Sequence, residues 1–519
     1  MRLSSRAMVI MADRVSTATL NILLYAVLSR VVEDKSEYGV FRAVLLVATI
    51  LTTLSDLSIP ESSYYFLPPA SVVERRRRLS LILSLAVLSG LVFSLGALLL
   101  AGPISGLPRE PVPRDYVRLV AFLPLVSLAR VTLTNSLIAT DRAYVSAGVS
   151  IAGTVLRFVV VALVFTLGRN ISEALTAYVG VELLAAIALL AIQYRLGGVG
   201  LVKPDFAFYR QVLGYSLPLA LAYAVGMLSR WLDRLLIGMF FEAAEFGEYV
   251  NGAQELPFVA IITQSIAVAI MPNLVSLFQK GQVRQMCSLF AEGIRRSSLL
   301  LLPIFAWALV CSHDMILVLY GPKFERSWQP FVVYLFVLPM RVAIFGSVLR
   351  AMGNTKPIVW GSLLMLIGNV ALGVTLIKLG GGGVLSFVGP AVANVLSLYI
   401  LSTYMTWLIR RTVRSHGYSG PVLPVKEYLK ILGASLAAGA FGLAMSVLLR
   451  YVPVQRLAMD WFGLNVPDIV PPALRIMLCG MVIAAGFFVV GRVAGVIQRQ
   501  DMDLLKATVR RVMVRKGPA

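Results

Sequence analysis

Acidic residues are scarce in this chain. Asp and Glu number 26 against 47 Lys and Arg, which gives a formal net charge of +21. Cysteine (3) and histidine (2) are rarer still. Each shortage excludes something. Cys287, Cys311 and Cys479 show neither paired nor metal-type spacing, so they imply no disulfide framework. His313 and His416 stand far apart, and no H-E-x-x-H or G-x-S-x-G occurs, which removes the usual parts of metal-assisted and serine hydrolysis. No G-x-x-x-x-G-K-[ST] is present, so the sequence shows no ATPase motor. No cofactor and no metal is expected. Only 14% of residues are charged, too few for an ordinary soluble surface.

What fills the chain instead is apolar. Hydrophobic residues make up 58% and the mean hydropathy is +0.83, against roughly 45–50% apolar residues in soluble domains. Apolar runs lie near 8–32, 40–66, 79–102, 115–140, 143–167, 173–194, 211–240, 248–279, 294–319, 327–352, 357–379, 384–408, 428–450 and 471–492. Each is about long enough to span a bilayer core. The expected fold class is an all-α polytopic membrane protein with about fourteen transmembrane helices. No leader with a cleavage site is read before the run that starts at Met8, so that run is expected to be a retained first helix.

The basic excess is placed, not spread. Arg75–Arg78, Arg195 to Arg210, Lys280 to Arg296, Arg410 to Lys430 and Arg492 to Lys516 alternate with short acidic loops such as Glu33–Glu37 and Phe241–Glu248. This is the bias that sets membrane topology, with basic loops and both termini cytoplasmic. It argues against a nucleic-acid partner. The expected localisation is a cell membrane, inner or plasma.

Fourteen runs divide into six, six and two, and an internal repeat supports the division. "LSRVVEDKSEYGVF" closes the first run and "IGMFFEAAEFGEYV" the seventh, each restarting at an aromatic-glycine pair, Tyr38-Gly39 and Phe246-Gly247. "ARVTLTNSLIATDR" and "MRVAIFGSVLRAMGNTK" align Arg130 on Arg341 and Ser136 on Ser347. The predicted domains are an N-terminal six-helix lobe (1–195), a linker (196–210), a second six-helix lobe (211–409), a linker (410–427), two appended helices (428–492) and a basic tail (493–519). Transporters are often built from such repeats, with substrate between the halves. Pro60, Pro124, Pro218, Pro257, Pro272 and Pro339 fall inside the runs, where they are expected to kink helices.

Charges within the runs carry the chemistry, since each costs roughly 2.5–3.5 kcal/mol at mid-bilayer. Arg42, Arg118, Arg350 and Arg475 lie near run ends and are read as interfacial anchors that snorkel. Arg130, Arg157 and Arg341 lie deeper, roughly 21 Å into their runs at 1.5 Å per residue. A guanidinium pair there suits a divalent anion in fork geometry; the alternative is a structural ion pair, for instance with Glu182. In the seventh run Arg230, Asp233 and Arg234 share a face, and Asp233 is placed to pair with either arginine, leaving one positive charge over. Asp13-Arg14 is the analogous pair in the first run. The acids Asp13, Glu182 and Asp233 are candidates for ion pairing or for carrying a coupling ion, H+ or Na+. Tyr64 and Tyr65 end the second run as aromatic belt or as rings that stack on a sugar.

The stretch "DRLLIGMFFEAAEFGEYVNGAQELPFVAIITQSIAVAIMPNLVSLFQKGQ" resembles the polysaccharide-flippase branch of the multidrug/oligosaccharidyl-lipid/polysaccharide exporter superfamily. Asp233-Arg234, Gly238, Gly247-Glu248-Tyr249, and Pro272 with Ser276 fit its pattern; Gly252 stands where an alanine belongs, with Ala253 one residue late. The regions "YGVFRAVLLVATILTTLSDLSIPESSYYFLPP", "VLYGPKFERSWQPF" and "LRAMGNTKP" are similar to the family's as well. The resemblance implies two six-helix lobes in a V around a central cavity, alternating access, and a polyprenyl-pyrophosphate-linked oligosaccharide as substrate, moved from the cytoplasmic to the outer leaflet. Polysaccharide-assembly proteins are then expected partners. Arg14, Arg130, Arg157, Arg230, Arg234 and Arg341 are the candidate pyrophosphate contacts. The rival readings are a cation-coupled multidrug exporter, which needs acids to dominate its cavity, and a membrane glycosyltransferase, ligase or polymerase. The second needs a sizeable outer loop, and the segment from Tyr451 to Val470, with Asp460 and Asp468, offers little room.

Overall fold

Helix starts are written locally in the sequence. Asp34, Ser71, Asn170 and Asp205 each sit just ahead of a helix and accept a backbone N–H of its first turn, from Ser36, Glu74, Glu173 and Phe208 respectively. Ser71 and Glu74 have capping-box spacing, so the basic block Arg75–Arg78 lies in the first two turns of a helix and not in a loop.

The computed structural model describes residues 3–343, 345–353, 356–451, 467–498 and 501. Asp460 and most of the expected basic tail at 493–519 lie outside them. The described residues are helices and connections, with no strand among them. Eleven helices are long and apolar enough to cross a membrane. The remaining expected spans correspond to Leu3–Val31, which carries Asp13, Arg14 and Arg30, to Pro257–Gln279, and to a run broken into short pieces.

Four of the six prolines expected to kink helices end them instead. Helices stop at Asp56, Val120 and Leu335, each four residues ahead of a proline (Pro60, Pro124, Pro339), and at Gly252, five ahead of Pro257. Proline has no N–H for the carbonyl four residues back, so the ladder ends there. The run at 40–66 is therefore Lys35–Asp56 followed by Ser62–Phe66, and that at 248–279 is interrupted between Gly252 and Pro257. The run at 327–352 becomes Trp328–Leu335, Leu338–Arg341 and Phe345–Ala351. Only Pro218 and Pro272 of the six lie inside continuous helices. After Asp56 two non-glycine residues, Leu57 (φ 46) and Ser58 (φ 51), take left-handed backbone. Such residues cost about 1–2 kcal/mol each. The Asp56 carboxylate supports the turn by accepting the Ser58 N–H at 2.9 Å.

The chain forms two compact units. The first comprises Met1–Pro257, Leu319–Pro330 and Val359–Ser397; the second, Phe258–Val318, Phe331–Ile358 and Leu398–Ala519.

In the first unit the two aromatic-glycine pairs of the repeat pack on each other. A Cβ on Gly39 would lie 1.7 Å from the Ala243 carbonyl oxygen, and one on Gly247 would lie 3.0 Å from the Tyr38 ring. Backbones this close are how membrane helices gain contact when lipid supplies no hydrophobic drive. Lys35 closes the same crossing by pairing with Glu248 at 2.7 Å. A buried core of Ile59, Leu67, Leu79, Ile82, Leu128, Leu133, Leu137 and Leu189 joins the helices that carry the candidate site.

In the second unit Val283–Val310, Val425–Arg450 and Val470–Val493 pack together. Trp307 Nε1 donates to the Ile476 carbonyl at 3.0 Å. Arg475 was expected at the interface, yet it forms a two-bond pair with Asp314, Nη2 to Oδ1 at 2.6 Å and Nε to Oδ2 at 3.1 Å. A buried carboxylate (Asp314 is 2% exposed) holds the guanidinium in place.

Candidate functional site

Three helices of the first unit bring Arg130, Arg157 and Glu182 together. Arg130 lies on Leu123–Ala139, Arg157 on Ala143–Thr166 and Glu182 on Ile171–Arg195. Arg157 Nη1 donates to Glu182 Oε1 at 2.5 Å, and its Nη2 donates to Asn21 Oδ1 at 3.1 Å. Its guanidinium also faces the Tyr178 ring at 5.1 Å. Arg130 Nε lies 2.7 Å from Glu182 Oε2. That contact is an ion pair without hydrogen-bond alignment, because both atoms are buried and lack a hydrogen-bond partner. Two guanidiniums thus share one carboxylate, and Arg157 and Glu182 are 9% and 7% exposed.

Open space adjoins the cluster on two sides. One cavity of about 60 Å³ is lined by Thr17, Thr134, Ser150 and Thr154 with the three charged residues. The larger, about 270 Å³, adds Thr49, Thr52, Thr53, Ser127, Tyr178, Tyr223 and Asp56. Hydroxyls at this density suit water or a polar ligand, not lipid. Charges of both signs line the larger cavity: Arg130 and Arg157 with Glu182, and Asp56, which lies close to Glu61 across its turn.

The other expected residues are distributed as follows. Arg14 is exposed and makes no ion pair among the described residues, and Asp13 accepts a hydrogen bond from Thr17 at 3.4 Å. Arg230 is exposed, contacts the Met227 sulfur, and lies with Asp56 and Glu61 within electrostatic reach of Tyr223. Asp233 pairs with neither of its neighbouring arginines. It is buried and accepts the Tyr249 hydroxyl at 2.9 Å, while Arg234 Nη2 donates to the Ala253 carbonyl at 2.8 Å. A tyrosine from the next helix has won over the same-face arginines. Tyr64 donates to Asn135 Oδ1 at 3.0 Å, and Tyr65 stacks on Tyr215 with ring centres 4.8 Å apart. Arg341 belongs to the second unit, half-buried at the end of the one-turn helix Leu338–Arg341. Its depth was counted along a continuous helix that Pro339 breaks, so that count does not hold.

Sequence reasoning missed Arg42. Assigned to the interface, it is 6% exposed, its guanidinium 3.7 Å from the Tyr25 ring centre and bonded to Tyr38 Oη at 2.6 Å and Asn251 Oδ1 at 2.9 Å. Asp56 and Tyr178 were also outside the candidate set. Tyr178 stands one helical turn before Glu182, a spacing that signals a shared face.

The chain is thus a helical membrane protein with a charged, hydroxyl-lined cavity inside its first unit. The fold is similar to "Lipid II flippase MurJ, inward closed conformation", with a TM-score of 0.65 and 13% identity over 93% of this chain and 98% of that one. It is also similar to "Inward-facing conformation of a multidrug resistance MATE family transporter of the MOP superfamily", with a TM-score of 0.55 and 12% identity over 78% of this chain and 99% of that one. At such identities the likeness is one of fold. Residues 27–329, more than half of the chain, match the polysaccharide biosynthesis protein family, and the chain belongs to that family. Among curated relatives it is 25% identical over 236 residues to "Probable low-salt glycan biosynthesis flippase Agl15" of Haloferax volcanii, 44% of this chain and 48% of that protein. The chain spans about half the length of the curated relatives it matches.

Proposed function

We propose that the protein is a flippase that carries a polyprenyl-pyrophosphate-linked oligosaccharide from the cytoplasmic to the outer leaflet for cell-surface polysaccharide assembly. In this reading two six-helix lobes alternate access to the substrate, and the termini lie in the cytoplasm. The observation that carries the reading is the cluster of two arginines on one carboxylate beside a hydroxyl-lined cavity. A guanidinium not fully matched by carboxylate is the group a diphosphate seeks, because charge-assisted bonds to phosphate contribute about 1.5–3 kcal/mol each. Arg130 is the more available of the two, its side chain 26% exposed against 11% for Arg157. Arg14 and Arg230 add exposed positive charge to the same unit. The threonines and tyrosines would keep the glycan hydrated by donating and accepting in turn. Asp56 lines the same cavity and would repel the anion, which gives a coupling proton or Na+ a reason to be there.

Flipping in proteoliposomes without ATP tests this reading. Polyprenyl-diphosphate oligosaccharide is loaded, and its exposure on each leaflet is followed with an impermeant glycosidase. Protein-dependent exchange is the expected result. No exchange with folded protein, with or without an imposed proton or sodium gradient, would sink the proposal.

A further inference from the structure

The basic block Arg75–Arg78 does not act as one patch. Arg75 donates to the Leu67 and Pro68 carbonyls, and Arg78 is committed to the Phe66 carbonyl and Glu74. These two pin the preceding turn. Arg76 and Arg77 point elsewhere, into a groove of about 630 Å³ lined with Val73, Lys203 and Phe206. The groove is built by the chain, since the segment that forms its far side is tied down at both ends. The Gly200 N–H donates to Ser80 Oγ at 3.0 Å, and Tyr209 Oη lies 2.8 Å from Ser84 Oγ. Gly200 makes room for Arg76: a Cβ there would stand 2.4 Å from Arg76 Nη2.

Two features identify the occupant. The first is charge. Arg76 and Lys203 have no carboxylate partner among the described residues, and Arg77 shares Asp205 at 2.8 Å with the Phe208 N–H that Asp205 also caps. The second is the company these cations keep. Val72, Val73, Leu201 and Phe206 are exposed apolar side chains beside them, with Val73 at 82% and Phe206 at 79%. An acidic protein partner would leave those side chains in water or bury them with charge. A bilayer surface places phosphates at the cations and acyl chains just beneath, where apolar side chains belong.

We propose that this groove is a binding site for the phosphate headgroup of an anionic phospholipid, separate from the cavity assigned to the transported lipid. Arg76 and Lys203 hold the phosphate, Arg77 completes the positive wall, and Val73 and Phe206 contact the upper acyl chains. The proposal does not rest on the flippase reading.

Native mass spectrometry of the full-length protein in detergent, titrated with phosphatidylglycerol or phosphatidylcholine of the same acyl chains, tests it. The wild type is expected to retain phosphatidylglycerol about twenty-five-fold better, and an Arg76→Gln/Lys203→Gln double variant to lose that preference; each surface cation contributes roughly fivefold. Gly200→Ala keeps every charge but turns the Arg76 guanidinium out, so it is expected to weaken phosphatidylglycerol binding severalfold. Arg118→Gln, at an exposed arginine distant in sequence and paired with Asp115, is expected to change nothing. Unchanged preference in the double variant would overturn the proposal. So would an unaffected Gly200→Ala variant, since diffuse charge would then suffice. If the double variant loses affinity for a polyprenyl diphosphate while phosphatidylglycerol shows no preference in the wild type, the groove serves the transported lipid and the assignment is wrong.

Discussion

Two buried ion clusters, one in each unit, use the same residue types and differ in almost everything else. In the second unit Arg475 and Asp314 meet one to one through two hydrogen bonds. In the first, Arg130 and Arg157 share Glu182, one contact is misaligned, and cavities of about 60 and 270 Å³ adjoin it. Burial alone would rank them together. Stoichiometry separates them: a matched pair satisfies itself, whereas two arginines on one carboxylate beside a cavity have capacity left for a ligand.

The largest effects should come from removing each lone acid. Glu182→Ala strands two guanidiniums and Asp314→Ala strands one, and breaking a buried pair costs about 3–5 kcal/mol. We expect both variants to melt far below the wild type, with Glu182→Ala the worse. A milder Glu182→Ala would break the comparison.

Apolar replacement sharpens it. Replacing both members of a buried pair by well-packed apolar residues is often neutral or stabilising. Arg475→Met/Asp314→Leu should therefore melt within about 1 kcal/mol of the wild type and still transport. The triple variant Arg130→Met/Arg157→Met/Glu182→Leu, which removes all three charges of the cluster, should fold but fail to exchange lipid-linked glycan in proteoliposomes. Equal transport by the two apolar variants would mean that both clusters are only structural.

A smaller effect of opposite sign is expected at Asp56. It lines the larger cavity with Arg130, Arg157, Glu182 and Tyr223, and Glu61 lies close to it; Arg230 lies within electrostatic reach of Tyr223. Asp56→Asn removes a charge that repels a diphosphate. Affinity for polyprenyl diphosphate should rise severalfold at neutral pH, as isothermal titration would read directly.

The smallest effect belongs to a third pair. Arg295 holds Asp501 by two bonds, at 2.7 and 3.0 Å. Burial pushes the Asp501 carboxyl up, but hydrogen bonds from Arg295 and the Gln498 N–H outweigh it and hold the group below its ordinary 3.8. A carboxyl lowered on folding adds stability above its unfolded value, lost as pH falls through the folded one. Asp501→Asn should lower melting slightly at pH 7 and leave it less sensitive to acid below about pH 4; an unchanged acid profile would remove Asp501 from the account.

Much of this was legible in the sequence, for reasons that can be named. Most of the apolar runs and the cap residues act locally, so they survive into the structure, whereas the basic block Arg75–Arg78, read as a loop, is helical. Glu182 was identifiable as an arginine partner because few other intramembrane acids were available. The prolines were placed correctly but read too gently, since the freed carbonyl four residues back ends a helix unless something else satisfies it. Arg42 and Asp233 show a different limit. Counting along a run gives depth but not direction, and their partners, Tyr25 and Asn251 for one and Tyr249 for the other, come from other helices. The same was true of the repeat: Gly39 and Gly247 were recognised as equivalent, but nothing in the sequence said that they touch.

The most direct test of the central claim is the affinity of Arg130→Gln for polyprenyl diphosphate, measured beside its melting temperature. This variant leaves Arg157 and Glu182 matched one to one, the arrangement seen at Arg475 and Asp314. We expect melting close to the wild type and binding weakened by about tenfold to a hundredfold, the loss of one charge-assisted bond. Wild-type affinity in a folded Arg130→Gln protein would contradict the account, because the unmatched guanidinium would then not be what holds the diphosphate.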